Sequence, residues 1–133
     1  MGDRAVFGFR SEGHTLFLYS HWGGDEQLTT LQQAIRKAQP RWEDAHGFGA
    51  DEAYATRIAV SYIIGSEWAN ETGYGLSINA FSMPDYPFAY VVDWNARTVT
   101  QIDTWEEDGP NHESITGPVY TFDKFLSLVN QEV

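Results

Sequence analysis

The chain predicts an α+β fold, an antiparallel five-stranded sheet in the order ββααβββα with three helices packed on it. Three observations carry this. Short apolar runs with alternating faces come in succession, joined by turn residues, as hairpins do. Longer stretches in the middle and at the end repeat apolar residues at helical spacing. No internal repeat and no dividing linker interrupts the 133 residues, so a single domain over 1–133 is expected.

Ala5 to Arg10 reads as the first strand, and Ser11-Glu12-Gly13-His14 as the turn after it, with Gly13 supplying backbone freedom. Thr15 to His21 is the second strand. Its faces, Leu16, Leu18, Ser20 and Phe17, Tyr19, His21, are both largely apolar, which predicts a strand covered on both sides. Asp25 to Ala38 is a helix with Leu28, Leu31, Ile35 and Ala38 on its buried side, and Pro40 is expected to stop it. After a loop, Asp51 caps a second helix running to about Ile64, buried through Ala55, Ile58, Ala59, Tyr62 and Ile63 and ended by Gly65. Tyr74 to Phe81, Phe88 to Asp93 and Arg97 to Asp103 predict an antiparallel three-strand meander, the last two joined by Trp94-Asn95-Ala96. The acidic stretch 103–118 reads as a loop. Thr121 caps a last helix with Phe122, Phe125, Leu126 and Val129 as its apolar stripe.

Composition sets limits on function. Apolar residues make up 42% and aromatics 15%, which means a core of large rings or several rings left over for ligand contact. The chain has no cysteine, which excludes disulfides and thiolate metal sites. Acidic residues number 19 against 8 basic, a formal charge of −11, which disfavours direct DNA or RNA binding. No signal peptide is visible, and no apolar run approaches the roughly 18 residues of a membrane span. A cytoplasmic protein with no membrane partner is therefore expected. Asn70-Glu71-Thr72 matches a glycosylation acceptor, which is read as chance without secretion.

The most chemically pointed stretch is Tyr19-Ser20-His21-Trp22-Gly23-Gly24. Gly23 and Gly24 at a helix start can present backbone N–H groups to an anion. His21 can donate to a phosphate or act as acid and base, and Trp22 or Tyr19 can stack on a base. Asp25 and Glu26 would repel a phosphate there, and the alternative is a tight turn with Trp22 packed. Arg57 is the second candidate. It lies in an otherwise apolar helix with Tyr54 and Ser61 on its face, suited to holding phosphate or carboxylate or to pairing with an acid. Arg36, Lys37 and Arg41 could hold a phosphate or complement a helix C-terminus. The four histidines show no zinc spacing, and no hydrolase triad motif occurs.

The Tyr19–Gly24 run, Arg-Trp-Glu-Asp at 41–44, Tyr54 with Arg57-Ile58, Gly73-Tyr74-Gly75-Leu76-Ser77, and Tyr86-Pro87 leading to Val91-Val92-Asp93 together resemble small uncharacterised accessory proteins of tailed phages and prophages, of actinobacteria in particular. The likeness spans roughly residues 6 to 103. It implies a small soluble protein working in the host cytoplasm and brings no activity or catalytic residue with it.

In that setting the leading expectation is a binding protein without turnover. It would sequester a phosphate-bearing nucleotide signal of host defence, through Tyr19, His21, Trp22, Gly23, Gly24, Tyr54, Arg57 and Ser61. This requires His21 and Arg57 to look into one hollow. The alternatives are an acidic protein-interaction module that inhibits a host protein, and a nucleotide-cleaving enzyme using His21. No cofactor and no metal are called for. Self-association is left open, as is the role of the acidic loop 103–118 as lid, metal site or solvated segment.

Overall fold

The computed structural model describes residues 4–23, 26–43, 50–78, 89–102 and 118–129. The strands are β1 (Ala5–Ser11), β2 (His14–Ser20), β3 (Tyr74–Ser77), β4 (Ala89–Asp93), β5 (Thr98–Ile102) and β6 (Val119–Thr121). The helices are α1 (Gln27–Glu43), α2 (Ala50–Ile64), followed by a 3-10 turn at Gly65–Ala69, and α3 (Phe122–Ser127).

The class is α+β, but the expected sheet needs correction. Among the described residues it has six strands, not five, in the order β3-β2-β1-β4-β5-β6. It is also mixed, because β1 pairs with β4 in parallel while the other neighbours are antiparallel. The three-strand meander does not form. β3 pairs with β2 at one edge, and the chain next enters the sheet on the far side of β1. This puts β1 between two neighbours, where Val6, Phe7 and Phe9 are all buried, consistent with a strand covered on both faces. The missed strand, β6, is three residues long, too short to show alternation, and Thr121 at its end also caps α3 by accepting a hydrogen bond from the Lys124 N–H.

The β1–β2 hairpin turns on Glu12 and Gly13, at φ of 53° and 79°. Positive φ at both positions is what a two-residue turn needs to match strand twist. Registers Phe7↔Leu18 and Phe7↔Tyr90 place these side chains on one face with Phe9, Val92 and Val99. The helices cover that face. Leu31, Ile35 and Ala38 of α1, Ala55 and Ala59 of α2, and Phe122 and Phe125 of α3 join it in one core. Ala34 and Ala38 of α1 and Ala55 and Ala59 of α2 are fully buried in that core. The opposite face carries a second buried cluster of Val6, Phe17, Ala89 and Val91. Gly8, opposite Phe17 and Val91, lies on that face, and a Cβ there would come within 2.8 Å of Val91 Cγ2.

Periodicity located the buried sides of the helices but not every end. α1 continues through Pro40 to Glu43 instead of stopping. In α2, Tyr62 is 45% exposed and Val60 is buried in its place. Gly65, at φ +60°, ends α2 as expected. Val129 lies beyond α3 and is 78% exposed.

α1 and α3 are tied by polar groups. Gln32 Nε2 donates to the carbonyls of Phe125 and Leu128, each at 2.9 Å, and Arg36 Nη2 donates to Leu126 O at 2.9 Å. Arg36 thus serves the C-terminal end of another helix, where cations are favoured. Gln32→Leu keeps the bulk but strips a donor from two carbonyls. It is expected to cost about 1–3 kcal/mol in urea denaturation, and an unchanged midpoint would refute that role.

Among the described residues no helix is long and apolar enough to cross a membrane.

Candidate functional site

An open groove of about 420 Å³ lies between α2 and the β2–β3 side of the sheet. Ala53, Thr56, Arg57 and Val60 form its helical wall, at the i, i+3, i+4, i+7 spacing of one helix face. Phe9 and Leu16 provide the sheet side, and Leu76 and Ile78 the outer lip. His14 stands at the hairpin end. The surfaces are mostly apolar, and the lip is solvent-facing, with Leu76 55% and Ile78 75% exposed.

The helical wall is positioned from the β4–β5 turn. Trp94 is buried within that turn, and its Nε1 donates to Thr56 Oγ1 at 2.9 Å. Its ring stacks on Phe9 at 6.3 Å between centroids and meets Phe122 edge-on at 5.9 Å. Asn95 in the same turn accepts the Glu12 N–H at 2.6 Å and so holds the β1–β2 turn.

Among the described residues the lip belongs to an edge strand. The His21 N–H donates to Gly73 O at 2.9 Å, which makes that pair a hydrogen-bonded one. Alternation then makes Tyr74 and Leu76 members of non-hydrogen-bonded pairs, opposite Ser20 and Leu18. Their N–H and C=O groups point away from β2, off the sheet edge. A second pocket of about 220 Å³ adjoins the Tyr74 end and is lined in part by Glu67, Trp68, Tyr74 and Leu76.

The expected site residues divide between two places. Tyr19 and His21 lie on the face opposite the helices, with Tyr19 Oη and His21 Nδ1 3.0 Å apart. Trp22 is 50% exposed and packs over Gly73 and Tyr74; a Cβ at Gly73 would come within 2.5 Å of its ring. The buried Ser20 hydroxyl donates to Trp22 O at 2.6 Å and closes the turn. Gly23, at φ +83°, continues it, and Gly24 lies outside the described residues. Arg57 lines the groove and donates to Ser61 Oγ at 3.4 Å, with Tyr54 exposed on α2 beside it.

Among the described residues, His21 and Arg57 therefore do not line a common hollow. The Arg57 groove reaches the His14 end of β2, whereas His21 follows the other end. His14 and His21 are seven steps of extended chain apart, roughly 23 Å. His21 also faces the side of the sheet that carries no described helix. Both residues were recognisable as unusual in sequence, but the direction of β2 past α2 was not.

Sequence reasoning missed the outer lip and Trp68. Leu76 and Ile78 were assigned to one strand face, with no sign that the strand would be an edge. Trp68 did carry a signal, as an indole within the polar run Ser66-Glu67-Trp68-Ala69-Asn70-Glu71. It is 77% exposed. Among the described residues no group of three or more His, Asp and Glu side chains could hold a metal ion. The acidic stretch 103–117 lies outside those residues. Comparison with protein-family models, curated proteins and solved structures gives no match to this chain.

Proposed function

We propose that this protein is an interaction module that takes an extended segment of a partner protein along the edge of β3 and over the α2 groove. The single observation that carries this is the coincidence of two features on one edge. Tyr74 and Leu76 turn their backbone hydrogen-bonding groups outward. Leu76 of the same strand and Ile78 just after it are exposed beside an apolar groove. Strand addition uses both, since main-chain bonds supply affinity and alternate side chains fill the pockets. Exposed Trp22, Tyr54, Tyr62 and Trp68 add the residue types that anchor interfaces.

The nucleotide reading loses its main support with the separation of His21 and Arg57. Phosphates entering the groove would meet the Arg57 guanidinium and His14 in a chain of formal charge −11. In the phage setting that the sequence resemblance implies, the partner would be a host protein in the cytoplasm, inhibited by having a segment held at this edge.

The test is selection of a random peptide display library on the full chain. Enriched peptides are expected to repeat a side-chain preference at every second position, apolar where they cross the groove, and to compete with one another. Enrichment without that alternation, or none, overturns the reading. A nucleotide panel titrated calorimetrically is expected to give no binding heat. Heat that disappears in Arg57→Ala would instead return the small-ligand reading.

A further inference from the structure

We propose that the pocket at the Tyr74 end of β3, walled by Trp68, Glu67 and Tyr74, receives a lysine or arginine side chain of the segment added at the edge. This rests on the strand-addition reading and names the chemistry of its partner. The pocket, about 220 Å³, is continuous with that edge through Leu76, which lines both it and the larger groove.

Three features select a cation. Trp68 presents an indole that is 77% exposed, and an indole face is the best aromatic partner for an ammonium or guanidinium group. Glu67 supplies a carboxylate beside it. Asn70 orients that carboxylate, donating its side-chain amide to Oε2 and its backbone N–H to Glu67 O at 2.9 Å. Only one carboxylate oxygen is engaged by the amide. The third feature is charge: residues 58–96 contain Glu67, Glu71, Asp85 and Asp93 and no Lys, Arg or His. No neighbour in that stretch of chain supplies the positive charge that this constellation fits.

Register gives the spacing. Tyr74, Leu76 and Ile78 alternate along one face, so a residue opposite Leu76 lies over the groove and one opposite Tyr74 lies at Trp68. An apolar residue and a cation separated by one position is therefore the expected recognition pattern. The larger groove takes the apolar side chain against Val60 and Leu76.

Two measurements test this separately from the edge. In the first, N-acetyl-arginine N-methylamide is titrated into the full chain while indole N–H resonances are followed, with N-acetyl-norleucine N-methylamide as the neutral control. The Trp68 resonance is expected to move with the cationic probe only, and less in Glu67→Gln. Equal response to both probes, or none, overturns the pocket whatever the peptide library yields. In the second, library-selected peptides are compared with versions carrying norleucine for the cation. Trp68→Ala is expected to weaken the cationic peptide roughly threefold to thirtyfold and leave the norleucine version unchanged. Equal loss for both peptides overturns the cation pocket while leaving strand addition standing. A Trp68 response without any selected peptide would instead sink strand addition.

Discussion

Trp94→Ala is expected to destabilise the protein by about 3–5 kcal/mol, the range for removing a large buried aromatic. At roughly 2–8 °C per kcal/mol for domains of this size, the melting temperature should fall on the order of 10–20 °C. Trp94 heads the fully buried side chains by volume, at 1% exposure. It joins three parts of the fold that are distant in sequence. Its ring lies on Phe9 of β1 with planes 9° apart, its edge meets Phe122 of α3, and its Nε1 bonds Thr56 of α2. Truncation leaves a cavity and removes the donor that sets α2 against the sheet. Trp94→Phe separates the two losses, retaining most ring packing and giving up the hydrogen bond, at about 1–2 kcal/mol. Chemical denaturation with an unchanged m-value checks both variants. A loss below about 1 kcal/mol for the alanine variant would be typical of a surface site, and would contradict the role given to this turn. Since Thr56 and Phe9 also line the groove, the folded fraction of Trp94→Ala should bind selected peptides more weakly.

The second large effect is on binding. Leu76→Pro should abolish strand addition, with a loss of about tenfold or more, while leaving the fold in place. Proline removes an N–H that faces away from β2, so no bond of the β2–β3 ladder is lost. An incoming strand loses that donor, worth about 1 kcal/mol, and also meets the ring. Leu76→Ala removes the side chain from the lip but keeps the N–H, and should bind with intermediate strength. Gly75→Pro is the structural control. Its N–H points toward Tyr19, so that change should release β3 from the sheet. Circular dichroism and melting report the fold, and fluorescence titration with a library-selected peptide reports binding. Full affinity in Leu76→Pro would show that the edge backbone is not used.

Much of the local structure was legible because it is encoded within a few residues. Leu31, Ile35 and Ala38 mark the inner side of α1 by spacing alone, and all are buried. Thr121 was readable as a cap because a hydroxyl before an amphipathic run satisfies an otherwise orphaned helix N–H, here that of Lys124. Pro40 shows the limit of such rules. A proline inside a helix costs a hydrogen bond, yet α1 continues past it to Glu43.

The candidate site was only half legible. Arg57 stood out because its helix is otherwise apolar, and it does line the groove. His21 and Trp22 stood out equally, yet they form a turn that packs on Gly73, and nothing local distinguishes a turn from a ligand site built of the same residues.

The sequence by itself determined the three helices and five of the six strands among the described residues, and the apolar side of most of them, since those properties repeat every two or 3.6 residues along the chain. Only the tertiary structure decided that β3 returns to β2 as an edge, that β4 lies parallel to β1, and that Arg57 meets the beginning of β2 instead of its end. Strand partners are chosen by contacts between residues far apart in the chain. A strand's own alternation is the same whichever neighbour it acquires, so the edge that would receive a partner leaves no local mark.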